Sequence, residues 1–447
     1  MKPMNKTLLA LLVSAVSMGA YAEGDEVKTK GGFQIKSEDG LFEAKIGGRI
    51  HLDGNYFVKE EEIRAVTNAN SQNASNAQQD ANSTIFLRRA YLTLTGRAYD
   101  FEYKFENDFS AQSGNSGSGF REMWIMKKVE SHNVRLGQAK PYRGMEELTS
   151  SNEIDFIERP FASANGIYSG RQFQTGIFVD NVIDNFGYGI SLYNTRTLDS
   201  TQNTEGRGYN GRAYFVPVQE EGTIVHIGAS YTAEDTPAVS TTAPTETTNG
   251  SVHSINARVV GRNNGLTANI LTGSERNRIA AAEFAVRSGQ FYLQSEYAMN
   301  KAAAVRPGSV GSSSTTVGNN FVDLGDQDIQ TYYAQASYML TDHYKPYDFK
   351  KGVFKSPKIA GGEGAIELKA RFDVIENKDF ATATGATTSS QVKGAVTPTK
   401  ATQYTLGVNY FYSPNTRFML EYVDGKVEAG ATDTKAAAVQ ARAQFNF

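Results

Sequence analysis

Cysteine is absent from the 447 residues. That excludes disulfide frameworks, thiol nucleophiles and thiolate metal sites together. Histidine is scarce: His51, His132, His226, His253 and His343 are scattered, with no metal-ligand spacing among them. Neither G-x-S-x-G nor H-E-x-x-H occurs, so no enzyme chemistry, metal or cofactor is expected. No nucleic-acid module accompanies the basic residues, and no nucleic-acid partner is expected. Proline is low, at 11 residues, and beyond residue 22 no stretch approaches the ~20 apolar residues a membrane helix needs. What is abundant is glycine (42), tyrosine (23) and phenylalanine (25), a mix that suits strands with aromatic edges.

Residues 1–22 read as a secretory signal. Lys2 and Lys6 give the positive start, Leu8–Val16 the apolar stretch, and Ala20-Tyr21-Ala22 a small-residue cleavage site, with the mature chain expected from Glu23. After it comes period-two alternation. Val439, Ala441, Ala443, Phe445 and Phe447 oppose Gln440, Arg442, Gln444 and Asn446; Ile366, Leu368, Ala370, Phe372 and Val374 oppose Glu367, Lys369, Arg371 and Asp373. Phe42–Tyr56, Phe101–Phe109 and Arg417–Val423 repeat the pattern. Apolar faces opposed by charged faces, on strand after strand with no domain break, predict a transmembrane antiparallel β-barrel at residues 23–447, all-β, with a watery lumen. The terminal alternation ending on phenylalanine resembles an outer-membrane assembly signal, which places the chain in the bacterial outer membrane, in contact with its lipid.

Hairpin logic gives sixteen strands: 41–57, 84–97, 99–110, 119–129, 132–140, 171–180, 186–196, 209–217, 223–232, 278–287, 290–300, 329–340, 363–377, 402–412, 415–427 and 436–447. Residues 252–273 are left over, and read as a long inward loop rather than an extra hairpin. Asn68–Ser83, Thr236–Ser251, Ala302–Asn320 and Ala381–Thr402, rich in small polar residues, read as outer loops. Arg135–Phe161 is different. It carries Met145, Leu148, Ile154, Phe156, Ile157 and Phe161 among charges of both signs. A solvent loop would be more uniformly polar, so this run is expected to fold into the barrel and narrow it.

Several segments resemble the phosphate-selective porin O and P family: Ile46-Gly47-Gly48-Arg49-Ile50, Leu87-Arg88-Arg89-Ala90-Tyr91-Leu92, Arg135-Leu136-Gly137-Gln138, Lys140-Pro141, Met145–Ser151, Glu158-Arg159-Pro160, Tyr338-Met339-Leu340-Thr341 and Gln440–Phe447. The resemblance implies a sixteen-stranded outer-membrane porin, a homotrimer, taking up phosphate or related small anions. It also implies a constriction loop after the fifth strand, pore arginines and a periplasmic lysine cluster. A porin of the same build with broader, carboxylate or small-solute specificity is the alternative.

An anion pore needs fixed positive charge where the lumen is narrow, held weakly enough for release. Strand parity turns Arg49, Arg89, Arg135, Arg212, Arg371 and Arg442 inward and leaves Arg121 and Arg171 uncertain by one register. The leftover Val252–Arg278 brings Arg258, Arg262, Arg276 and Arg278 against Glu275 alone. In the constriction run the candidates are Lys140, Arg143 and Arg159 with the hydroxyls of Thr149, Ser150 and Ser151, Lys140 foremost. Glu146, Glu147, Glu153, Asp155 and Glu158 outnumber its four basic residues by one. The periplasmic cluster is Lys345, Lys350, Lys351, Lys355 and Lys358, with Lys28, Lys30 and Lys36.

Overall fold

A computed structural model describes residues 26–28, 33–61, 83–110, 119–168, 171–195, 206–236, 253–262, 265–307, 321–360, 364–382, 395–396 and 398–447. The expected leader, 1–22, lies outside them. Sixteen antiparallel strands form the wall: β1 (Phe42–Glu61), β2 (Thr84–Ala98), β3 (Phe101–Asp108), β4 (Gly119–Val129), β5 (His132–Ala139), β6 (Gln174–Ile183), β7 (Phe186–Asn194), β8 (Arg207–Gln219), β9 (Thr223–Asp235), β10 (Ser274–Ser288), β11 (Phe291–Pro307), β12 (Phe321–Met339), β13 (Ala365–Asn377), β14 (Thr399–Ser413), β15 (Thr416–Ala429) and β16 (Thr432–Asn446). Each overlaps one of the sixteen strands expected from the alternation.

β16 closes the cylinder on β1, from Lys435 opposite Glu61 to Asn446 opposite Arg49. Phe447 finishes the seam: its N–H donates to the Gly48 carbonyl at 3.1 Å and its own carbonyl accepts from Gly48 at 2.9 Å. Below that point a small N-terminal hairpin (26–28 with 33–36) takes over the same edge of β1, Phe33 pairing with Ile46. Closure leaves the wall without the unpaired N–H and C=O groups that lipid cannot satisfy.

The tight turns lie at one end, the periplasmic one. Tyr99, Glu130 and Asp184 open three of them with positive φ, an uncommon conformation for non-glycine residues that suits two-residue hairpins. The apolar face of the alternation points outward: Leu192, Leu368, Leu406 and Leu420 are exposed there. Phe42, Phe101, Phe186, Phe291, Tyr338 and Phe447 ring the periplasmic rim of this face, and Tyr56, Phe120, Tyr209 and Tyr231 lie toward the other. Two aromatic girdles around an apolar band are the outer-membrane barrel pattern.

Wall height is uneven. β3 and β5 have 8 residues each, whereas β11 has 17 and β12 has 19. The tall strands extend into stretches read from sequence as loop, such as Ala302–Asn320 and Ala381–Thr402; most of the remainder of the four outer-loop stretches lies outside the described residues.

Three segments turn into the barrel. The first joins β5 to β6 and contains a four-residue helix, α1 (Met145–Leu148). The second is the leftover stretch. It is a two-stranded hairpin (255–260 with 266–271), so the alternative of a hairpin holds for its local structure, but it joins no wall strand and lies inside. Its Ile255, Val259, Val260, Leu266 and Ile270 pack on Ile329, Ile375, Val423, Val427 and Ala438, inward residues of the outer halves of β12–β16. Each fully buried Val, Leu or Ile here contributes about 1.5–3 kcal/mol. Contact is close: a Cβ on Gly425 would stand 2.6 Å from Val259 and Val260 methyl carbons, so only glycine admits the hairpin. The third, unexpected from sequence, is the β12–β13 connection, described over 340–360, which rises from the periplasmic end. Its Tyr347, Phe349, Val353 and Phe354 pack with Met145 of the first segment and with Tyr214 and Tyr292 of the wall.

Candidate pore constriction and its charged lining

The constriction loop is built as a plug for one side of the lumen. Of the apolar residues conspicuous in the sequence, Met145, Ile154, Phe156, Ile157 and Phe161 are buried, and Leu148 is half-buried at the chamber wall. The loop backbone is pinned by carboxylates of the tall wall. Glu146 N–H donates to Glu296 at 3.2 Å, Ile157 N–H to Glu421 at 2.8 Å and Phe161 N–H to Asp373 at 2.9 Å. Lys369 answers by donating to the Asp155 carbonyl at 2.6 Å and to Glu421 at 2.5 Å. Arg371 donates to the Glu158 carbonyl at 2.9 Å and lies over the Phe156 ring. Charges buried this deeply persist only when paired and hydrogen-bonded. Lys345, from the periplasmic insertion, completes the clamp by bridging Asp155 of the loop and Glu367 of β13.

With β10–β16 covered, water-exposed charge remains on β1–β5 and on the loop edge facing them. Arg121 and Arg135 retain 23% and 19% of their side-chain exposure, whereas Lys369 and Arg442 retain none. Arg49 crosses the gap, donating to Ser151 Oγ at 2.8 Å and to Glu106 at 2.9 Å while stacking on Tyr91. Outside it, Arg88, Arg258 and Arg262 converge on Glu158, a formal +3 against −1. Burial opposes ionisation of this carboxyl, yet Arg262, Arg88 and Arg258 hold it well below the usual carboxylate range.

Inside the constriction lies a chamber of about 370 Å³ between the loop, the insertion and the lower halves of β3–β8. It is lined by six cationic residues, Lys104, Arg135, Lys140, Arg212, Lys350 and Lys351, against three acidic ones, Glu102, Glu122 and Asp180; Arg212 is neutralised by Glu283 behind it, which leaves a formal +2. Lys140 Nζ is held at the loop edge by the carbonyls of Glu147 (2.8 Å) and Thr149 (3.2 Å). Enclosure, and then the neighbouring Arg159 guanidinium, push this ammonium down to about 7.

The sequence candidates thus divide. Lys140, Arg49, Arg135, Ser150, Ser151, Arg258, Arg262, Lys350 and Lys351 fall along the open path or its edges. Others face inward but are committed to structure. Arg143 is fully buried on Glu234 at 2.6 Å, stacked on Tyr168, so it anchors the loop. Arg159 donates to the carbonyls of Glu146 and Thr149 within the loop, and Thr149 caps Met145 O at 2.9 Å. Arg89 is buried beside His51, Arg212 grips Glu283 and the carbonyls of Lys351 and Gly352, and Arg442 forms two bonds to Asp53, each 2.7 Å. Arg371 supports the loop from the covered wall.

Two expectations need correction. Arg276 and Arg278 belong to the start of β10, on the outward parity of Ala280 and Phe284, and not to the inward segment; Arg278 pairs with Asp235 at 2.8 Å. The inward hairpin therefore carries two arginines, not four. Lys345 is not part of a solvated cluster, being buried between two carboxylates. Lys355 is paired to Asp348 at 2.7 Å, and Lys36 and Lys358 are exposed. Lys28 falls in the N-terminal hairpin, but its side chain and all of Lys30 lie outside the described residues. Of the two uncertain arginines, Arg121 faces inward on Asp108 at 2.9 Å, and Arg171 precedes β6 and pairs with Glu234. Arg88 was missed. A bulge between His51/Arg89 and Leu52/Leu87 leaves it unpaired in the ladder and admits both adjacent arginines to the lumen. Two consecutive charged residues in an alternating strand were the available signal.

Comparison with known proteins agrees with this architecture. The chain is 26% identical to porin O of Pseudomonas aeruginosa over 441 residues, covering 94% of this chain and 92% of that protein. Among solved structures, the loop-deletion form of OmpT from Vibrio cholerae matches with a TM-score of 0.53 at 12% identity, covering 91% of this chain and all of that one. The channel DcaP of Acinetobacter baumannii matches at 0.52 and 11% identity (92% and 99% covered), and an anion-selective porin from Comamonas acidovorans at 0.50 and 14% identity (91% and 100% covered). These share the barrel fold. The family model for phosphate-selective porin O and P spans residues 64–447, and the chain belongs to that family.

Proposed function

We propose that this outer-membrane barrel passes phosphate and related small anions by diffusion, drawing them past Arg88, Arg258 and Arg262 to Arg49 and Arg121 and into the chamber below. The observation that carries this reading is the charge of that chamber, five cationic residues against three acidic once Arg212 is set against Glu283. Low-dielectric walls around such a lining raise local anion concentration. Most cations on the path share an acid: Arg49 with Glu106, Arg121 with Asp108, Lys104 with Glu122. That keeps each site weak enough for release, which conduction requires.

The test is chloride conductance through single channels in a planar bilayer as phosphate is added. Saturable reduction of the chloride current is expected, with a dicarboxylate at equal charge reducing it less. An unaltered current would overturn phosphate binding, and equal reduction by both would favour the broader specificity.

The leader at 1–22 belongs to the same proposal, as does a homotrimer. At ~3.3 Å per residue and a tilt of ~40°, eight residues rise about 20 Å, short of the ~25 Å apolar band. The low wall at β3 and β5 is therefore suited to cover by another copy rather than by lipid. Sedimentation in mild detergent as a monomer would contradict this.

A further inference from the structure

The chamber beneath the constriction has a second property that charge does not explain. We propose that it selects phosphomonoesters carrying a planar ring over bare inorganic phosphate. This rests on the anion-channel reading and narrows its substrate class.

Size is the first ground. About 370 Å³ would hold roughly a dozen waters at ~30 Å³ each, far more than a tetrahedral oxyanion needs, and it lies within the ~300–1,000 Å³ of small-organic pockets. The lining is the second. Trp124, Tyr142 and Tyr188 face the chamber together with Arg135, Lys140 and Lys351. Trp124 is the chain's single tryptophan. In outer-membrane barrels aromatic side chains concentrate in the girdles at the lipid interface. This one points the other way, with the Arg135 guanidinium 4.8 Å from its ring centroid.

The third ground is rigidity. Arg135 also reaches Tyr142 Oη (3.4 Å) and Asp180 (3.6 Å). Tyr142 donates to Asp180, and Tyr188 is bonded to His132 at 2.6 Å. Tyr142 and Tyr188 are therefore fixed before a ligand arrives, and binding to them costs little ordering entropy. A phosphate head would sit toward Lys140 and the exposed Lys351, and a ring bonded to it would reach the aromatic wall and the guanidinium plane. Ring stacking on such surfaces contributes on the order of 1–3 kcal/mol per ring.

The experiment compares phenyl phosphate with inorganic phosphate as blockers of chloride current through the whole channel. Half-block is expected at an at least roughly five-fold lower concentration of phenyl phosphate, the gain that ~1 kcal/mol gives. In detergent, Trp124 fluorescence should change with phenyl phosphate at concentrations where inorganic phosphate leaves it unaltered. Trp124→Leu should bring the two half-block concentrations together, and Tyr188→Leu provides the same test should the first variant fail to assemble. Equal half-block in the wild type, or a ratio untouched by both variants, overturns the ring preference while leaving the anion channel standing. Block by neither compound overturns both readings.

Discussion

At the residue scale, exposure separates cations that can meet an ion from cations that hold the barrel together. Arg442 locked on Asp53 and Arg143 locked on Glu234 are wall and anchor. Lys140 stands at the loop edge with backbone carbonyls as its partners, so it can face a passing anion. Its ammonium is pushed down to about 7, so the charge is present below that pH and lost above it. Single-channel conductance in dilute salt should fall roughly two-fold between pH 6 and pH 8.5 as the local anion concentration drops. Lys140→Arg, charged throughout, should flatten the profile. Conductance independent of pH in the wild type would place the controlling charge elsewhere. Parity could show that Arg442 faces inward, but only the register across the β16–β1 seam brings Asp53 opposite it. That is why facing the lumen and lining the pore could not be told apart in the sequence.

At the element scale, three inward segments shape the channel, and each was legible to a different degree. The constriction loop could be read because its apolar residues had no place in solvent. The inward hairpin was half legible. Its arginines were visible, but its receiving surface was overlooked: Ile375, Val423, Val427 and Ala438 fall on the polar parity of their strands and make the upper wall apolar on both faces. The periplasmic insertion read as a basic turn because its lysines outnumber its acids, and nothing local in the chain announces that Lys345 meets Asp155 and Glu367. Removing one partner of such a buried pair costs about 3–5 kcal/mol. Lys345→Met should therefore loosen the insertion, seen as frequent current flicker and faster proteolysis within 341–361; steady currents and unchanged cleavage would show that the packing of Tyr347 and Phe354 suffices alone. Excising 255–271 with a short glycine linker should leave the wall folded and raise conductance, since the hairpin occupies the outer lumen without pairing to the barrel. Unchanged conductance would mean that resistance resides wholly at the loop.

At the scale of the whole molecule, alternation, turn positions and closure follow from one requirement, that no backbone polar group faces lipid unpaired. This made all sixteen strands readable from period-two alternation and hairpin spacing together, while loop lengths and the rise of β11 and β12 beyond the membrane were not. What the barrel does with its interior depends on which half stays open. One side, β10–β16, is packed shut by buried ion pairs; the other, β1–β5, carries the water-accessible arginines and lysines. The net charge of the chain, −3, is therefore a poor guide to the pore. The zero-current potential across a bilayer separating concentrated from dilute potassium chloride reads the sign of the pore directly. The dilute side should become negative as chloride outpaces potassium; a dilute side that turns positive would show that the acidic groups dominate the narrow region and would contradict the anion channel.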